Sequence, residues 1–147
     1  MERSLLVLLA VALMLAMPVL PAGAAPHRAP AATATPLPPE DPAITLIARK
    51  QFVAWQAAGV NRDLYTDALN DMMTLDKMAG VSKALGLLGP LEQVVWAGPA
   101  IAKDVPAGSK TYVYHMLCAD GQVYMEFSIE PTGKLASLLF RNNPADF

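Results

Sequence analysis

The sequence predicts an α+β domain in which three helices are followed by a four-stranded antiparallel sheet. Two observations predict this class. Apolar residues recur at helical spacing as far as Leu88, and from Leu91 onward they alternate with a period of two, as in strands. Gly89 and Pro90 lie at the change of period, where a glycine followed by a proline is a strong helix stop.

The first 24 residues have the three parts of a cleavable secretory signal peptide. Glu2 and Arg3 make a short charged start, and residues 5–17 form an apolar run. The run is shorter than the roughly 20 residues of a spanning helix, and Ala22-Gly23-Ala24 supplies the small residues of a cleavage site. We therefore expect a periplasmic or secreted protein with no membrane segment after cleavage; an uncleaved anchor is the alternative.

Residues 25–41 form a leader rich in proline, alanine and threonine, without apolar periodicity. Such a segment buries too little surface to offset its ordering entropy, so we expect it to be disordered. Residues 42–147 are then one domain, since about 105 residues suffice for a single core. The net charge is −2 and no Lys/Arg cluster stands out, so no nucleic-acid partner is expected.

The first helix is predicted to begin at Pro42, which suits the first helical position, and to end at Gly59. Its apolar stripe consists of Ile44, Ile47, Ala48, Phe52 and Trp55. The predicted caps are Asp41 for the first helix, Asn61 or Asp63 for the second, and Thr74 for the third. The third helix should run to the stop before Leu91.

The strands are predicted at residues 91–98, 109–118, 122–130 and 135–142. Asp120-Gly121 is typical of a two-residue hairpin turn with positive φ at both positions. That turn places Tyr114 opposite Phe127 on one face of the sheet and His115 opposite Glu126 on the other.

The second hairpin is predicted to turn through residues 131–134. A four-residue loop sets Leu138 beside Phe127 and Phe140 beside Met125, whereas a three-residue loop would bring polar residues to the same face. The hydrophobic match favours the longer loop.

The predicted inner face of the sheet is rich in aromatic residues and methionine, which adapt their shape to ligands. The expected pocket residues are Trp55, Tyr65, Trp96, Tyr112, Tyr114, Met116, Met125 and Phe127, with Met72, Met73 and Met78 from the helices. The same residues could equally fill a solid core.

On the outer face, a carboxylate beside an imidazole would suit acid/base catalysis, so His115 and Glu126 are the candidate catalytic pair. An ordinary cross-strand polar contact is the alternative. This face is also half apolar, which is typical of an interaction surface. The residues expected in a homodimer contact through the sheet are Val113, Leu117, Leu135 and Leu139.

The sequence lacks the residues that metal binding, phosphate binding or nucleophilic catalysis would need. Of the two histidines, His27 falls in the leader, and the sequence has no metal-ligand spacing, no phosphate-binding glycine loop and no nucleophile motif. We therefore predict no metal and no cofactor. The single cysteine, Cys118, lies in an apolar strand, where we expect a buried thiol.

Three stretches carry a resemblance to a known superfamily: WQAAGVNRDLY at residues 55–65, LGPLEQVVWAG at 88–98, and YVYHMLCADGQVYMEFSIEPTGKLASLLF at 112–140. The chain resembles the cystatin-like, nuclear-transport-factor-like superfamily, and within it small exported bacterial domains. The resemblance implies helices packed on a curved four-stranded antiparallel sheet, often with a conical pocket and dimerisation through the sheet. Enzymes of this superfamily, such as ketosteroid-isomerase-like proteins, place acid/base residues inside the pocket.

The inward strand positions of this chain carry neither a carboxylate nor a histidine. We therefore expect a non-catalytic exported domain that binds an apolar small ligand or a protein partner as a homodimer. The alternatives are an acid/base enzyme of the isomerase or cyclase type, and an accessory module for a cell-envelope hydrolase.

Overall fold

A computed structural model describes residues 36–146. The predicted signal peptide and most of the predicted leader lie outside the described residues. Within the described part of the chain, no helix has both the length and the apolar character needed to cross a membrane.

The structure confirms the α+β class. Three helices come first: α1 (Pro42–Gln56), α2 (Asp67–Met72) and α3 (Leu75–Gly86), with a single 3-10 turn at Arg62–Leu64. Four strands follow: β1 (Leu91–Ala100), β2 (Lys110–Cys118), β3 (Gly121–Ile129) and β4 (Leu135–Arg141), before a last 3-10 turn at Pro144–Asp146. The strands form one antiparallel sheet in the order β1-β2-β3-β4, so β1 and β4 are its edges.

The start of α1 is as predicted, and its end is not. The Asp41 side chain accepts a hydrogen bond of 2.9 Å from the Ala43 N–H, and Pro42 is the first helical residue. At the other end Ala58, not Gly59, adopts positive φ, at 53°. The Gly59 N–H donates to the Ala54 carbonyl at 2.8 Å, which completes a Schellman motif with alanine in the position that favours glycine.

The second helical stretch is divided in two. Asn61 caps only the 3-10 turn, and Tyr65 is then extended before Thr66 caps α2. Thr74 caps α3 as predicted, by accepting from the Lys77 N–H. Tyr65 forms a β-bridge with the start of β4. A residue within a continuous helix could not make this bridge, so the helical stretch is interrupted at Tyr65.

The predicted register of the first hairpin is wrong by two residues. Ala119 and Asp120 form the turn, and Cys118 pairs with Gly121. Since side chains alternate with a period of two, a two-residue shift changes the partners but keeps every side chain on its predicted face.

The cause of this shift is the connection between α3 and β1. The turn N–H groups of Ala119 and Asp120 donate to the carbonyls of Pro90 and Leu88, at 3.0 and 2.9 Å. A Cβ on Gly121 would lie 2.8 Å from a Leu88 methyl carbon. Glycine is therefore needed here for close packing and not for positive φ.

The second hairpin has the predicted pairing of Met125 with Phe140 and of Phe127 with Leu138. A bulge follows between Ser128 and Ile129, so that Ile129 pairs with Leu135.

The bulge places Leu135 in the core, where it is 3% exposed. The prediction that Leu135 belongs to the outer face is therefore wrong, because a shift of one residue moves a side chain to the opposite face. The Leu135 carbonyl also accepts a hydrogen bond of 2.9 Å from the Thr66 N–H, which ties the start of β4 to the helical segment.

Helix α1 lies across the inner face of the sheet. Near its start, the Thr45 hydroxyl lies 3.0 Å from the Tyr114 hydroxyl on β2. Near its end, the ring of Phe52 contacts Phe140 on β4 edge to face, with centroids 6.2 Å apart.

A buried chain of hydrogen bonds joins α1 to the extended segment after it. The indole N–H of Trp55 donates to the Tyr65 hydroxyl at 3.1 Å, and that hydroxyl donates to the side-chain amide oxygen of Gln51 at 2.6 Å. Burial raises the pKa of Tyr65 to about 12, so the hydroxyl keeps the proton that it donates.

We expect Tyr65→Phe to lower the free energy of unfolding by about 2 kcal/mol, because it leaves a buried N–H and a buried carbonyl without a partner. Urea unfolding measures this. Tyr124→Phe, at a half-buried position on the outer face, is the control and should change stability by less than about 0.5 kcal/mol. Equal effects of the two substitutions would contradict the role assigned to the Tyr65 hydroxyl.

Ala58→Gly should stabilise the domain by up to about 1 kcal/mol, because glycine adopts positive φ without steric cost. Thermal and urea unfolding would measure the gain. Ala57→Gly is the matched control. Ala57 has a φ of −84°, so glycine removes no steric strain there, and by raising the entropy of the unfolded chain it should lower stability. A loss of stability in Ala58→Gly would contradict the strain at this position.

Candidate functional site

The structure divides the predicted pocket residues into two groups. Five are fully buried in one core between α1 and the sheet: Tyr65, Tyr114, Met116, Met125 and Phe127. Trp55, 3% exposed, belongs to the same core, and the half-buried Trp96 and Tyr112 pack against it. These five residues therefore fill a solid core on the inner face of the sheet, which was the alternative to a ligand pocket.

The end of the predicted leader covers Trp96. The indole N–H of Trp96 donates to the Pro38 carbonyl at 3.0 Å. Leu37 approaches Gly98 so closely that a Cβ there would lie 3.0 Å from a Leu37 methyl carbon. Trp96 also packs on Tyr114, with ring centroids 5.1 Å apart, so this margin of the core is covered by the chain itself.

An apolar groove opens at the other margin, between α2, α3 and β4. We call it the methionine groove; its volume is about 370 Å³. It is lined by Trp55, Leu69, Met72, Met73, Lys77, Met78, Val81, Leu138, Leu139 and Phe140. Trp55 and the three methionines named from the sequence are thus brought together. The strand residues expected with them do not line the groove: four lie in the core, and Trp96 and Tyr112 pack against it.

The position of the groove follows from the packing of Trp55. Its ring meets Phe140 edge to face with centroids 5.9 Å apart, and its N–H is held by Tyr65. Lys77 is the one charged residue of the lining, and its ammonium group donates to the Met72 carbonyl at 3.2 Å, at the last residue of α2.

The predicted catalytic pair does not form. His115 pairs with Tyr124, and the two rings stack with centroids 4.2 Å apart and 9° between their planes. The imidazole Nε2 lies 3.1 Å from the Gln122 side-chain oxygen, and Glu126 pairs instead with Val113. The two-residue register shift separates the imidazole and the carboxylate that the acid/base hypothesis needs together.

Glu126 lies in a second pocket, on the outer face of the sheet, which we call the outer pocket. Its volume is about 280 Å³, and it is lined by Ile101, Ala102, Lys103, Glu126, Ser137, Leu139, Arg141 and Asp146. The segment after β1 forms one wall, β3 and β4 the floor, and the last 3-10 turn contributes Asp146. Sequence reasoning missed this site, because nothing in the 101–109 segment indicates that it folds over the sheet.

The Glu126 side chain is only 5% exposed. Burial raises the pKa of its carboxyl, and the charge of Arg141 lowers that pKa in part. Beside the outer pocket, Ser128 is held by two hydroxyls: Thr111 at 2.7 Å and Ser137, which donates to it at 2.8 Å. Ser137 therefore already has a partner, whereas no side-chain hydrogen bond of Glu126 is found among residues 36–146.

The residues expected in a dimer contact are differently placed. Val113 is already buried within one chain and Leu135 is in the core, whereas Leu117 and Leu139 remain partly exposed. The homodimer remains a prediction, and the apolar surface available for it on the outer face of the sheet is smaller than expected. Cys118 is a buried free thiol as predicted, and burial raises its pKa.

The raised pKa of Glu126 predicts a pH-dependent stability. Below the ordinary value of 4.5 the carboxyl is protonated in the folded and unfolded chains alike. Between this value and the raised pKa the unfolded chain is ionised while the folded chain still holds its proton, so the free energy of unfolding falls as pH rises and levels off above the raised pKa. Glu126→Gln should abolish this loss.

The measurement is the difference in free energy of unfolding between the wild type and Glu126→Gln, by urea titration from pH 4 upward. The difference isolates Glu126 from the exposed carboxylates, which titrate in both proteins. A constant difference across this range would show that the carboxyl is not desolvated.

Compared with known proteins, the chain matches no family model, and neither the curated proteins nor the solved structures give a significant match.

Proposed function

We propose that this domain binds a small apolar ligand that carries one anionic group, and that the ligand occupies the methionine groove. The observation that carries the proposal is the lining of the groove, in which nine apolar side chains surround a single cation, Lys77.

The size of the groove favours a small molecule. Its volume of about 370 Å³ falls within the range of ligand pockets in proteins. Methionine side chains are unbranched and polarisable, and adapt to an acyl chain or a ring system better than branched residues do. Met72 is 59% exposed, so a ligand would remove apolar surface that the chain leaves open.

The charge of the groove favours an anion. Lys77 lies at its rim, and the ammonium group has donor capacity beyond the hydrogen bond to the Met72 carbonyl. A carboxylate on the ligand would pair with Lys77 while its apolar part lies on Trp55 and Phe140.

We further propose that the domain is exported and that its sheet and helices have the cystatin-like, nuclear-transport-factor-like arrangement. The antiparallel sheet with α1 across one face supports this arrangement. The character of residues 1–24 supports export.

Binding of decanoate, followed by isothermal titration calorimetry, tests the function. Decanoate has an apolar chain and one carboxylate, and decylamine has a similar chain with the opposite charge. We expect decanoate to bind more tightly than decylamine. Met72→Glu should weaken decanoate binding about tenfold, because it places a second anion beside the ligand.

Leu75→Glu is the matched control. Leu75 is the first residue of α3, is 76% exposed and does not line the groove, so the same charge is added nearby but outside the site. Equal weakening by both substitutions, tighter binding of decylamine, or no binding of decanoate would each overturn the proposal.

A further inference from the structure

We propose that the outer pocket binds a small zwitterion, an α-amino acid with an aliphatic side chain. Its ammonium group would lie against Glu126, and its carboxylate would lie toward Arg141 and Lys103. This site is separate from the methionine groove, although Leu139 of β4 lines both.

The floor of the pocket carries the first argument. The Glu126 side chain is more than nine-tenths buried and lines the pocket, and within residues 36–146 it accepts no side-chain hydrogen bond. Among residues 36–146, Ser109 Oγ is the one fully enclosed side-chain oxygen without a partner, so the Glu126 oxygens remain accessible from the pocket. A carboxylate that has lost most of its surrounding water and has no protein donor favours a ligand that brings donors. An ammonium group has three donors and a positive charge, so it would supply what this chain does not.

The cations of the pocket carry the second argument. Lys103 and Arg141 are exposed and line the same pocket as Glu126. The guanidinium of Arg141 presents paired donors that match a carboxylate. With Asp146, the lining holds two cations and two carboxyl groups, so its net charge suits a ligand whose own charges cancel.

The mixed charges of the lining disfavour simpler ligands. A plain cation would be attracted by Glu126 and Asp146 and repelled by Lys103 and Arg141, and for a plain anion these forces would be reversed. A zwitterion with its ammonium group at Glu126 and its carboxylate toward Lys103 and Arg141 places opposite charges together at both ends.

The remaining walls indicate the side chain of the ligand. Ile101 is 97% exposed and Leu139 is 41% exposed, and both line the pocket. An aliphatic side chain would cover them. The volume of about 280 Å³ is enough for a ligand of the size of a single amino acid.

Three probes that share an isobutyl side chain test the proposal by calorimetry with the purified protein: L-leucine, 4-methylpentanoate, which lacks the amine, and 3-methylbutylamine, which lacks the carboxylate. We expect L-leucine to bind at least about tenfold more tightly than either of the others, since each lacks one charge-assisted contact. No binding of L-leucine, or binding of 4-methylpentanoate as tight, would overturn the zwitterion site.

Two variants test whether L-leucine binds in this pocket. Glu126→Gln keeps the shape of the side chain and removes its charge, and it should lower L-leucine affinity about tenfold and abolish the preference over 4-methylpentanoate. Glu92→Gln, at an exposed position of β1, should leave both unchanged. Thermal unfolding of each variant checks that it is folded.

Unchanged L-leucine binding in Glu126→Gln would overturn the assignment to this pocket. Met72→Glu distinguishes the two sites: it should weaken decanoate and leave L-leucine unaffected. Each proposal can therefore fail without the other.

Discussion

The hydroxyl of Tyr65 is the point on which the arrangement of this domain depends. It accepts from Trp55, donates to Gln51 and lies in the core without exposure to solvent. The backbone beside it binds the start of β4, through the Thr66 N–H and the Leu135 carbonyl. One residue thus holds α1, the segment leading to α2 and the edge strand β4 together, and a buried polar network of this kind tolerates few alternative arrangements.

Strand β4, which this junction holds, lines both pockets. On the inner side, the junction orients Trp55, which lines the methionine groove together with residues of α2, α3 and β4. On the outer side, residues 101–103, after β1, line the outer pocket together with residues of β3 and β4. Leu139 lines both pockets. The edge strand β4 thus contributes to a largely apolar groove and to a pocket with four charged residues.

The pairing partners of the central hairpin decide which chemistry is available on the outer face. His115 stacks on Tyr124 and lies beside Gln122, which leaves Glu126 without an imidazole. The pKa of the carboxyl is raised by burial, and Arg141 lowers it in part. Glu126 is largely buried, and the imidazole that the acid/base hypothesis places opposite it pairs with Tyr124 instead.

The sequence by itself determined the class of fold, the caps Asp41 and Thr74, the four strands and the face on which each central strand residue lies. These features depend on local chemistry: capping oxygens, glycine and proline at a boundary, and periods of 3.6 or two. The pairing of Leu138 with Phe127 was also predictable, because only one loop length matched the apolar faces.

Tertiary structure decided the rest. Gly121 is needed for its packing against Leu88, a contact between residues distant in sequence, and this contact moved the hairpin register by two. The bulge at Ile129 moved Leu135 into the core, and the path of the chain after β1 brought residues 101–103 to the pocket that Glu126 lines. The alternation of apolar residues along a strand specifies the face on which each side chain lies. Which residue it pairs with, and whether a pocket surrounds it, depend on contacts between segments that are distant in the sequence.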